Sequence, residues 1–449
     1  MKKSLSILLC LVTVLAVTLC VFTACNANRI EPVHQDTSLE QNSDNAGLND
    51  TIPEEKTDKA DIVIDSEGID GDDIDSDDID SDDIDDDNID DDNIDDDAVM
   101  ISTPQDLLNM NENKHYVLAN DIDLKDYDWQ GSDFEGVLDG NGHKIINMHF
   151  VGTVDTASSV FGLFTNASGV IRNLTLDNVT VSVTATHIRA SVNYGAIAAI
   201  CNNLTISNCH VTNSSATIKG LNAKEYEEGI GGLIGNAAGH LYIEKSTNSS
   251  NISSDEFNTG GIVGKMSPDT SIIDCTNSGD ISGKYYVGGI VGNGNGAITD
   301  CTNSGAISGY HCIGGISGRG TGTITNCING GTVYGSEYNV GGISGGGATI
   351  IDCTNNGSVS GQYSIGGIVG AGSQSNVTIT NCTNNGEISG EYYIGGIVGR
   401  MVGPITLTDC TNSSTVSGNE SVGQIYGKVH GNITSENCQE NGKTEYTNE

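Results

Sequence analysis

Residues 260–283 read GGIVGKMSPDTSIIDCTNSGDISG, and residues 288–309 repeat them as GGIVGNGNGAITDCTNSGAISG. Further copies follow toward the C-terminus, each opened by a Gly-Gly pair 25 to 29 residues after the last. A period of this length is typical of solenoids, in which every repeat forms one coil of a stack. The pairs begin at Gly231, Gly260, Gly288, Gly314, Gly341, Gly366 and Gly395, with a degenerate copy at Gly423.

The composition of each copy favours strands over helices. The coil that begins at Gly366 contains three short β-branched runs bounded by glycine or asparagine, namely GGIVG, TITNC and GEISG. Such runs indicate three short strands per coil, and stacked coils of this kind form a parallel β-helix. The aliphatic residues that flank the Gly-Gly pairs are predicted to form two core columns. They are Val287, Ile313, Val340, Ile365, Ile394 and Val422 before the pairs, and Ile290, Ile316, Ile343, Ile368, Ile397 and Ile425 after them.

These motifs resemble a known family. The pattern GGIVG followed by TITNCTNNGEISG resembles the GLUG repeats of bacterial surface proteins, and residues 101–150 with 162–181 resemble the module that opens the β-helices attached to IgA-type metallopeptidases. The resemblance implies an all-β, right-handed parallel β-helix of the pectate-lyase-like class. We expect an N-terminal β-helix module at 99–230 and the repeats at 231–449. The sequence contains no H-E-x-x-H motif, so the zinc site of the peptidases is not carried over.

The first residues read as an export signal. A charged MKK start is followed by an apolar run, and Phe22 to Cys25 resembles the lipobox of bacterial lipoproteins. Residues 1–24 are therefore predicted to be a lipoprotein signal peptide and Cys25 the lipidated residue. The protein would then be held by its lipid on the outer face of the bacterial cell membrane. A single-span anchor and an ordinary signal peptidase site remain alternatives.

Residues 25–98 are predicted to be a disordered acidic spacer. The segment from Asp61 to Asp97 contains 21 of the 60 acidic residues of the chain and no Lys or Arg. Isoleucine recurs at every fifth residue within it. Repelling carboxylates with so little apolar surface cannot offset the entropy of folding. Loose Ca²⁺ binding is conceivable because carboxylates are hard oxygen ligands, but the spacing lacks the features of a defined calcium loop.

One cysteine recurs in each coil, and Ser246 replaces it in the coil before the first. Stacked coils would place these residues about 4.8 Å apart, a little beyond the separation of disulfide-bonded Cβ atoms. Because zinc sites favour close cysteine pairs and a catalytic thiol would be single, we interpret the column as core packing. Disulfides between neighbouring coils remain an alternative. The column consists of Cys275, Cys301, Cys327, Cys353, Cys382, Cys410 and Cys438.

Two further columns follow the cysteines. Asparagine lies two residues after each cysteine, at Asn277, Asn303, Asn329, Asn355, Asn384 and Asn412, and is expected to form a ladder at a turn. The glycines at Gly279, Gly305, Gly331, Gly357 and Gly386 are expected to supply positive φ. In TITNC the isoleucine and cysteine are three residues apart, so a bend or bulge must separate them if both face inward.

An aromatic position recurs three residues before each Gly-Gly pair and ends at Glu420. Stacking between coils would explain it, and so would a half-exposed surface that binds sugars or a partner protein. This column, the aromatic strip, is the candidate ligand-binding site. It consists of Phe257, Tyr285, His311, Tyr338, Tyr363 and Tyr392.

Catalysis has little support in the repeats. Arg319 and Arg400 lie singly, and the acidic group around Trp129 belongs to the opening module. A net charge of −41 opposes nucleic-acid binding. We therefore expect a non-catalytic surface lipoprotein for adhesion or for binding a host or cell-wall glycan or protein, with no cofactor and no metal. The alternative is a carbohydrate-active β-helix enzyme, either a lyase or a hydrolase.

Overall fold

The computed structural model describes residues 97–446 except 111–112, 157, 188–190, 221–227, 256 and 374–376. The described residues belong to one compact unit, Asn88–Glu449. The predicted signal peptide, Cys25 and the acidic spacer as far as residue 96 lie outside the described residues. The interpretations attached to them therefore stay predictions.

The described chain is a parallel β-helix, as predicted. Strands succeed one another around three faces, and each strand pairs in parallel with its counterpart one coil away, as Thr302–Asn303 does with Thr276–Asn277 and with Ile328–Asn329. Each coil thereby satisfies the backbone hydrogen bonds of its neighbours.

The first face consists of a 17-stranded sheet and a three-stranded sheet, joined by single bridges at Ser344. The strands of the larger sheet are Val99–Ile101, Lys114–Leu118, Ser132–Asp139, Phe164–Arg172, Ala198–Ser207, Ile234–Ala237, Leu241–Glu244, Val263–Met266, Thr270–Ile273, Val291–Gly294, Ala297–Thr299, Ser317–Arg319, Thr323–Thr325, Thr349–Ile351, Val377–Thr380, Ile405–Thr408 and Ile433–Glu436. Those of the smaller sheet are Val369–Ser373, Val398–Val402 and Tyr426–His430.

The second face is a 12-stranded sheet of very short strands. They are Ile122–Asp123, Lys144–Ile146, Thr175–Asp177, His210–Thr212, Thr247–Asn248, Thr276–Asn277, Thr302–Asn303, Ile328–Asn329, Thr354–Asn355, Thr383–Asn384, Thr411–Asn412 and Gln439–Glu440.

The third face is an 18-stranded sheet. Its strands are His149–Val154, Ser158–Phe161, Thr180–Ala185, Ser191–Gly195, Ser215–Lys219, Ile230–Gly231, Asn251–Ser254, Phe257–Gly260, Ile281–Ser282, Tyr285–Gly288, Ile307–Gly314, Val333–Gly341, Val359–Gly366, Ile388–Ser389, Tyr392–Gly395, Val416–Gly418, Glu420–Gly423 and Thr444–Tyr446.

A short helix, Pro104–Leu108, lies near the start of the described chain. Thr103 caps it through a capping box with Asp106, and Leu107 packs into the core. None of the helices among the described residues is long and apolar enough to cross a membrane.

The core columns are where the sequence pattern places them. The aliphatic residues on both sides of the Gly-Gly pairs are buried from Val287 to Ile425. The bend required in TITNC is also present, because the residue before each column cysteine has a positive φ. This angle is 50° at Asp274, 55° at Asp300 and 50° at Asn326. A left-handed residue at this point turns the chain so that the isoleucine and the cysteine both face inward.

The asparagine ladder is also confirmed. From Asn277 to Asn384 each Nδ2 donates to the Oδ1 of the asparagine one coil further on, over 2.8 Å from Asn303 to Asn329 and again from Asn329 to Asn355. The Nδ2 of the last member, Asn412, donates to Gln424. Each of these Nδ2 atoms also donates to the carbonyl oxygen two residues later in its own turn, over 2.9 Å from Asn329 to Gly331. These side chains are fully buried, so the ladder satisfies polar groups that would otherwise be costly to remove from water.

The predicted role of the glycines that follow the ladder was wrong. Gly279, Gly305, Gly331, Gly357 and Gly386 do not have positive φ. A Cβ atom at any of them would overlap the carbonyl oxygen of the residue stacked one coil before, as at Gly331, where it would meet Gly305. The glycines are therefore needed for close approach of consecutive coils, not for a left-handed backbone.

Close approach also explains the Gly-Gly pair. A Cβ on the first glycine, such as Gly314, would overlap the carbonyl oxygen of Ser317 in the same coil. A Cβ on the second glycine, Gly315, would overlap both the side chain of Asn329 and the backbone of Gly342. The Gly-Gly pair and the Cys-x-Asn motif therefore recur together because the asparagine ladder lies directly under the second glycine.

Candidate binding surface

The aromatic strip forms one column on the third face. Its members are paired in register from coil to coil, with Tyr285 between Phe257 and His311, and Tyr363 between Tyr338 and Tyr392. The register continues to Glu420, where the aromatic character ends. The structure thus brings together all six residues that the sequence pattern selected.

A left-handed residue directs the strip outward. The position after each strip residue has a positive φ, for example 56° at Tyr286, 60° at Ser364 and 61° at Tyr393. In a regular strand, residues two apart point to the same side, so Tyr363 and the buried Ile365 would share one face. The left-handed residue between them reverses this relation, leaving Ile365 in the core and Tyr363 at the surface.

The rings of the strip stack mainly on one another. The centroids of Tyr363 and Tyr392 are 4.8 Å apart with 8° between the ring planes, and those of Tyr338 and Tyr363 are 4.9 Å apart at 22°. At the other end, Phe257 and Tyr285 stack at 4.7 Å and 11°. Because neighbours cover the ring faces, a ligand would meet ring edges and hydroxyl groups rather than open faces. The strip is therefore both a structural column and a row of phenol groups.

The stack is interrupted at His311. This ring is tilted by 51° against Tyr285 and by 48° against Tyr338. The side chain of Asn339 lies 3.1 Å from His311 Nε2, and burial lowers the pKa of His311 below its usual value. The lowered pKa favours the neutral imidazole, in which one ring nitrogen donates and the other accepts a hydrogen bond.

Exposed tyrosines that the sequence pattern did not select surround the interruption. Tyr310 packs edge-on against Tyr285 at 5.6 Å, and its hydrogen bond to Glu337 raises the pKa of its hydroxyl to about 12. Tyr334 is 53% exposed, more than the 43% of Tyr338 in the strip itself. Tyr310 and Tyr334 occur in single coils, so a search for once-per-coil columns misses them. The sequence feature that could have identified them is that Tyr310 is next to His311 and Tyr334 is four residues before Tyr338.

The cysteine column is part of the core. The members from Cys275 to Cys410 are buried and unpaired, and Cys438 at the end is partly exposed. Each buried thiol donates to the carbonyl oxygen two residues before it, over 3.2 Å in Cys327 and in Cys353. Burial raises the pKa of Cys410 to about 11, so its thiol is protonated and unreactive. The column extends further than predicted, because Cys209 occupies the position one coil before Ser246.

The acidic residues near Trp129 hold the turns of the opening module. Asp121 accepts a hydrogen bond from the backbone of Lys144, and Asp123 accepts one from the side chain of Asn147. Trp129 is buried and donates to the carbonyl oxygen of Leu163. Among the described residues no group of three or more His, Cys, Asp or Glu side chains could hold a metal ion.

A recess of about 400 Å³ adjoins this acidic group. Its lining includes Asp128, Gln130, His149 and Phe161, and Asp128 is the one carboxylate among its described lining residues. The pair of carboxylates that a glycoside hydrolase requires is not assembled in this recess.

Comparison with known proteins agrees with the repeat pattern. The family model of the GLUG motif matches residues 283–308. This segment is a GLUG motif. The match runs from the end of one Gly-Gly coil into the next, across Gly288, Cys301 and Asn303. The surrounding coils repeat the same positions, so the β-helix of this chain is built from GLUG-type repeats.

One solved structure is similar to part of the chain. It is a proposed immunoglobulin A1 protease from Bacteroides ovatus, with 20% sequence identity and a TM-score of 0.39. The similarity covers 59% of this chain and 74% of that one. No curated protein matches the chain.

Proposed function

We propose that this chain is a surface-displayed, non-catalytic binding module, anchored through a lipid at Cys25, in which the aromatic strip contacts an extended glycan or protein segment. The observation that carries the proposal is the strip itself. Aromatic side chains occupy one outward position in six consecutive coils, although a core column would already hold the coils together. Tyrosine is favoured at such surfaces because its ring is apolar and its hydroxyl forms hydrogen bonds.

The geometry defines how such a surface would bind. Because the stacked rings cover one another's faces, the hydroxyl groups of Tyr338, Tyr363 and Tyr392 would form a row with a spacing of about 4.8 Å, the distance between coils. A polymer lying along the axis of the helix could hydrogen-bond to several of these groups at once. Within the aromatic strip the ring centres are furthest apart around His311, which lies 6.2 Å from Tyr285 and 5.8 Å from Tyr338.

Replacing one tyrosine in two ways separates binding from stacking. Tyr363→Phe keeps the ring, so the free energy of unfolding should stay within about 0.5 kcal/mol of wild type. If the hydroxyl row binds the ligand, affinity should fall about three- to tenfold, the value of one hydrogen bond of about 1 kcal/mol. Tyr363→Ala should in addition destabilise the fold by about 1 to 3 kcal/mol through lost burial and ring pairing.

The experiment begins with a glycan and matrix-protein array screened with the full-length protein, followed by binding isotherms and denaturant unfolding of both variants. Wild-type affinity in the Tyr338→Phe, Tyr363→Phe, Tyr392→Phe triple variant would rule out the strip as the contact surface. The anchor is tested separately by labelled fatty acid, which wild-type cells should attach to the protein and cells carrying Cys25→Ala should not.

A further inference from the structure

The first face carries another position that recurs once per coil, directly after the third glycine of each Gly-Gly-Ile-x-Gly motif or its variant. Register pairs connect Lys265 to Asn293 and Arg319, and connect Ala371 to Arg400 and Lys428. We call Lys265, Arg319, Arg400 and Lys428 the cation row. Residues 231–449 contain seven Lys and Arg residues, and four of them lie in this row. No acidic residue occupies any of the paired positions between them.

None of the four side chains of the cation row forms an ion pair with another residue that the structure describes. The ion pairs among the described residues lie in the opening module, where Arg172 contacts Asp139 at 2.7 Å and Lys144 contacts Asp177 at 3.8 Å. The chain as a whole has a net charge of −41, so carboxylates are abundant. A line of cations without carboxylate partners in such a chain requires another explanation.

Tyrosines hold the cations of the row at two places. Arg319 Nη1 donates to the hydroxyl of Tyr286 over 2.7 Å, and its guanidinium carbon lies 5.2 Å from the centre of that ring. Arg400 and Lys428 lie three and four coils further on, and they are 5.5 Å and 4.8 Å from the ring centre of Tyr393. These contacts fix the side chains without neutralising their charge. The Nε of Arg400 is buried and has no hydrogen-bond partner among the described residues.

We propose that the cation row binds an acidic polysaccharide that lies along the axis of the β-helix. The row spans six coil steps, or about 29 Å, and offers four cations over that length. The carboxylate or sulfate groups of an acidic polysaccharide are spaced along the sugar chain, as the four cations are spaced along the row. Guanidinium groups bind such oxyanions well. Duplex DNA carries a charge about every 1.7 Å, which four cations on a strongly acidic protein would not neutralise. This site lies on a different face from the aromatic strip and does not depend on the function proposed for the strip.

Binding of the full-length protein to polygalacturonate, dextran sulfate, uncharged dextran and duplex DNA tests the proposal. Wild type should bind at least one of the two acidic polysaccharides, with an affinity that falls as salt rises, and should bind dextran and DNA at least tenfold more weakly. Arg319→Gln with Arg400→Gln should lower the affinity about tenfold. The matched control is Lys245→Asn with Lys443→Gln, which removes two exposed cations outside the row and should change the affinity less than twofold.

Three outcomes would overturn the proposal: equal losses in both double variants, no binding of either acidic polysaccharide, or equally tight binding of DNA. Arg319→Lys with Arg400→Lys keeps the charges and should retain more than half of the binding free energy, which covers the case in which the glutamine variant fails to fold. The triple phenylalanine variant of the aromatic strip should bind the acidic polysaccharide as wild type does. An experiment that refutes binding by the aromatic strip can therefore be distinguished from one that refutes binding by the cation row.

Discussion

Two adjacent glycines in one turn have different structural roles. A Cβ on Gly330 would lie 3.6 Å from the nearest atom, the carbonyl oxygen of Asn303, which is an ordinary contact. A Cβ on Gly331 would overlap the carbonyl oxygen of Gly305, and Gly331 is buried where Gly330 is exposed. Neither residue has a positive φ, so the two differ in the space around them rather than in backbone conformation.

This pair gives a prediction at the level of single residues. Gly331→Ala should destabilise the protein by at least about 2 kcal/mol, because the coils must move apart to admit the methyl group. Gly330→Ala should be neutral or stabilise it by up to about 1 kcal/mol, because alanine restricts the unfolded chain. Denaturant unfolding of the two variants measures both effects. Equal changes in the free energy of unfolding for the two variants would mean that the close approach of neighbouring coils is not the reason for glycine at position 331.

The sequence could predict which residues recur but not always the reason. A glycine in a turn usually supplies positive φ, and that general expectation failed for Gly331 and its counterparts. The left-handed positions are instead held by asparagine and aspartate before the cysteines, and even by Tyr286 and Tyr393 after the strip. The requirement for glycine comes from an atom one coil away, which a single repeat does not contain.

At the level of the element, the asparagine ladder is the clearest structural unit. Asn329 Nδ2 donates to Asn355 and to Gly331, and its Oδ1 accepts from Asn303 over 2.8 Å. Removing this side chain leaves a buried donor, a buried carboxamide oxygen and a backbone carbonyl oxygen without partners. One substitution in the ladder should therefore remove hydrogen bonds from the coils on both sides.

Asn329→Ala should lower the free energy of unfolding by about 2 to 4 kcal/mol. The matched control is Asn356→Ala, at an exposed asparagine in the corresponding turn of the next coil whose side chain accepts a hydrogen bond from Asn385, and it should cost less than about 1 kcal/mol. Thermal or denaturant unfolding of the two variants provides the comparison. If Asn329→Ala lowers the free energy of unfolding no more than Asn356→Ala does, the ladder contributes little to stability.

The two candidate surfaces differed in how far the sequence revealed them. The aromatic strip was predictable because its spacing from the Gly-Gly pair is constant and its residue type is uncommon. The tilt at His311 was not, because ring orientation depends on Asn339 in the next coil. The cation row was only half visible. Arg319 and Arg400 stood out as isolated residues, and the register between coils then placed Lys265 and Lys428 in the same column.

At the level of the whole molecule, the repeated columns form one continuous hydrophobic core from the opening module to the last coil. The core extends from Ile101 to Ile425, and the partly buried Cys438 packs against it. Because each coil is held mainly by its neighbours, the inner coils should open together rather than singly.

The central claim is that the cysteines repeated once per coil serve the architecture and not the chemistry of the protein. Peptide-resolved mass spectrometry of thiol alkylation at increasing denaturant concentration tests it most directly. Cys438 should react in native buffer, because it is partly exposed. The thiols of Cys275, Cys301, Cys327, Cys353, Cys382 and Cys410 should stay unreacted until one common unfolding transition. Alkylation of these inner thiols in native buffer as fast as that of Cys438, or a disulfide joining two of them, would contradict the claim.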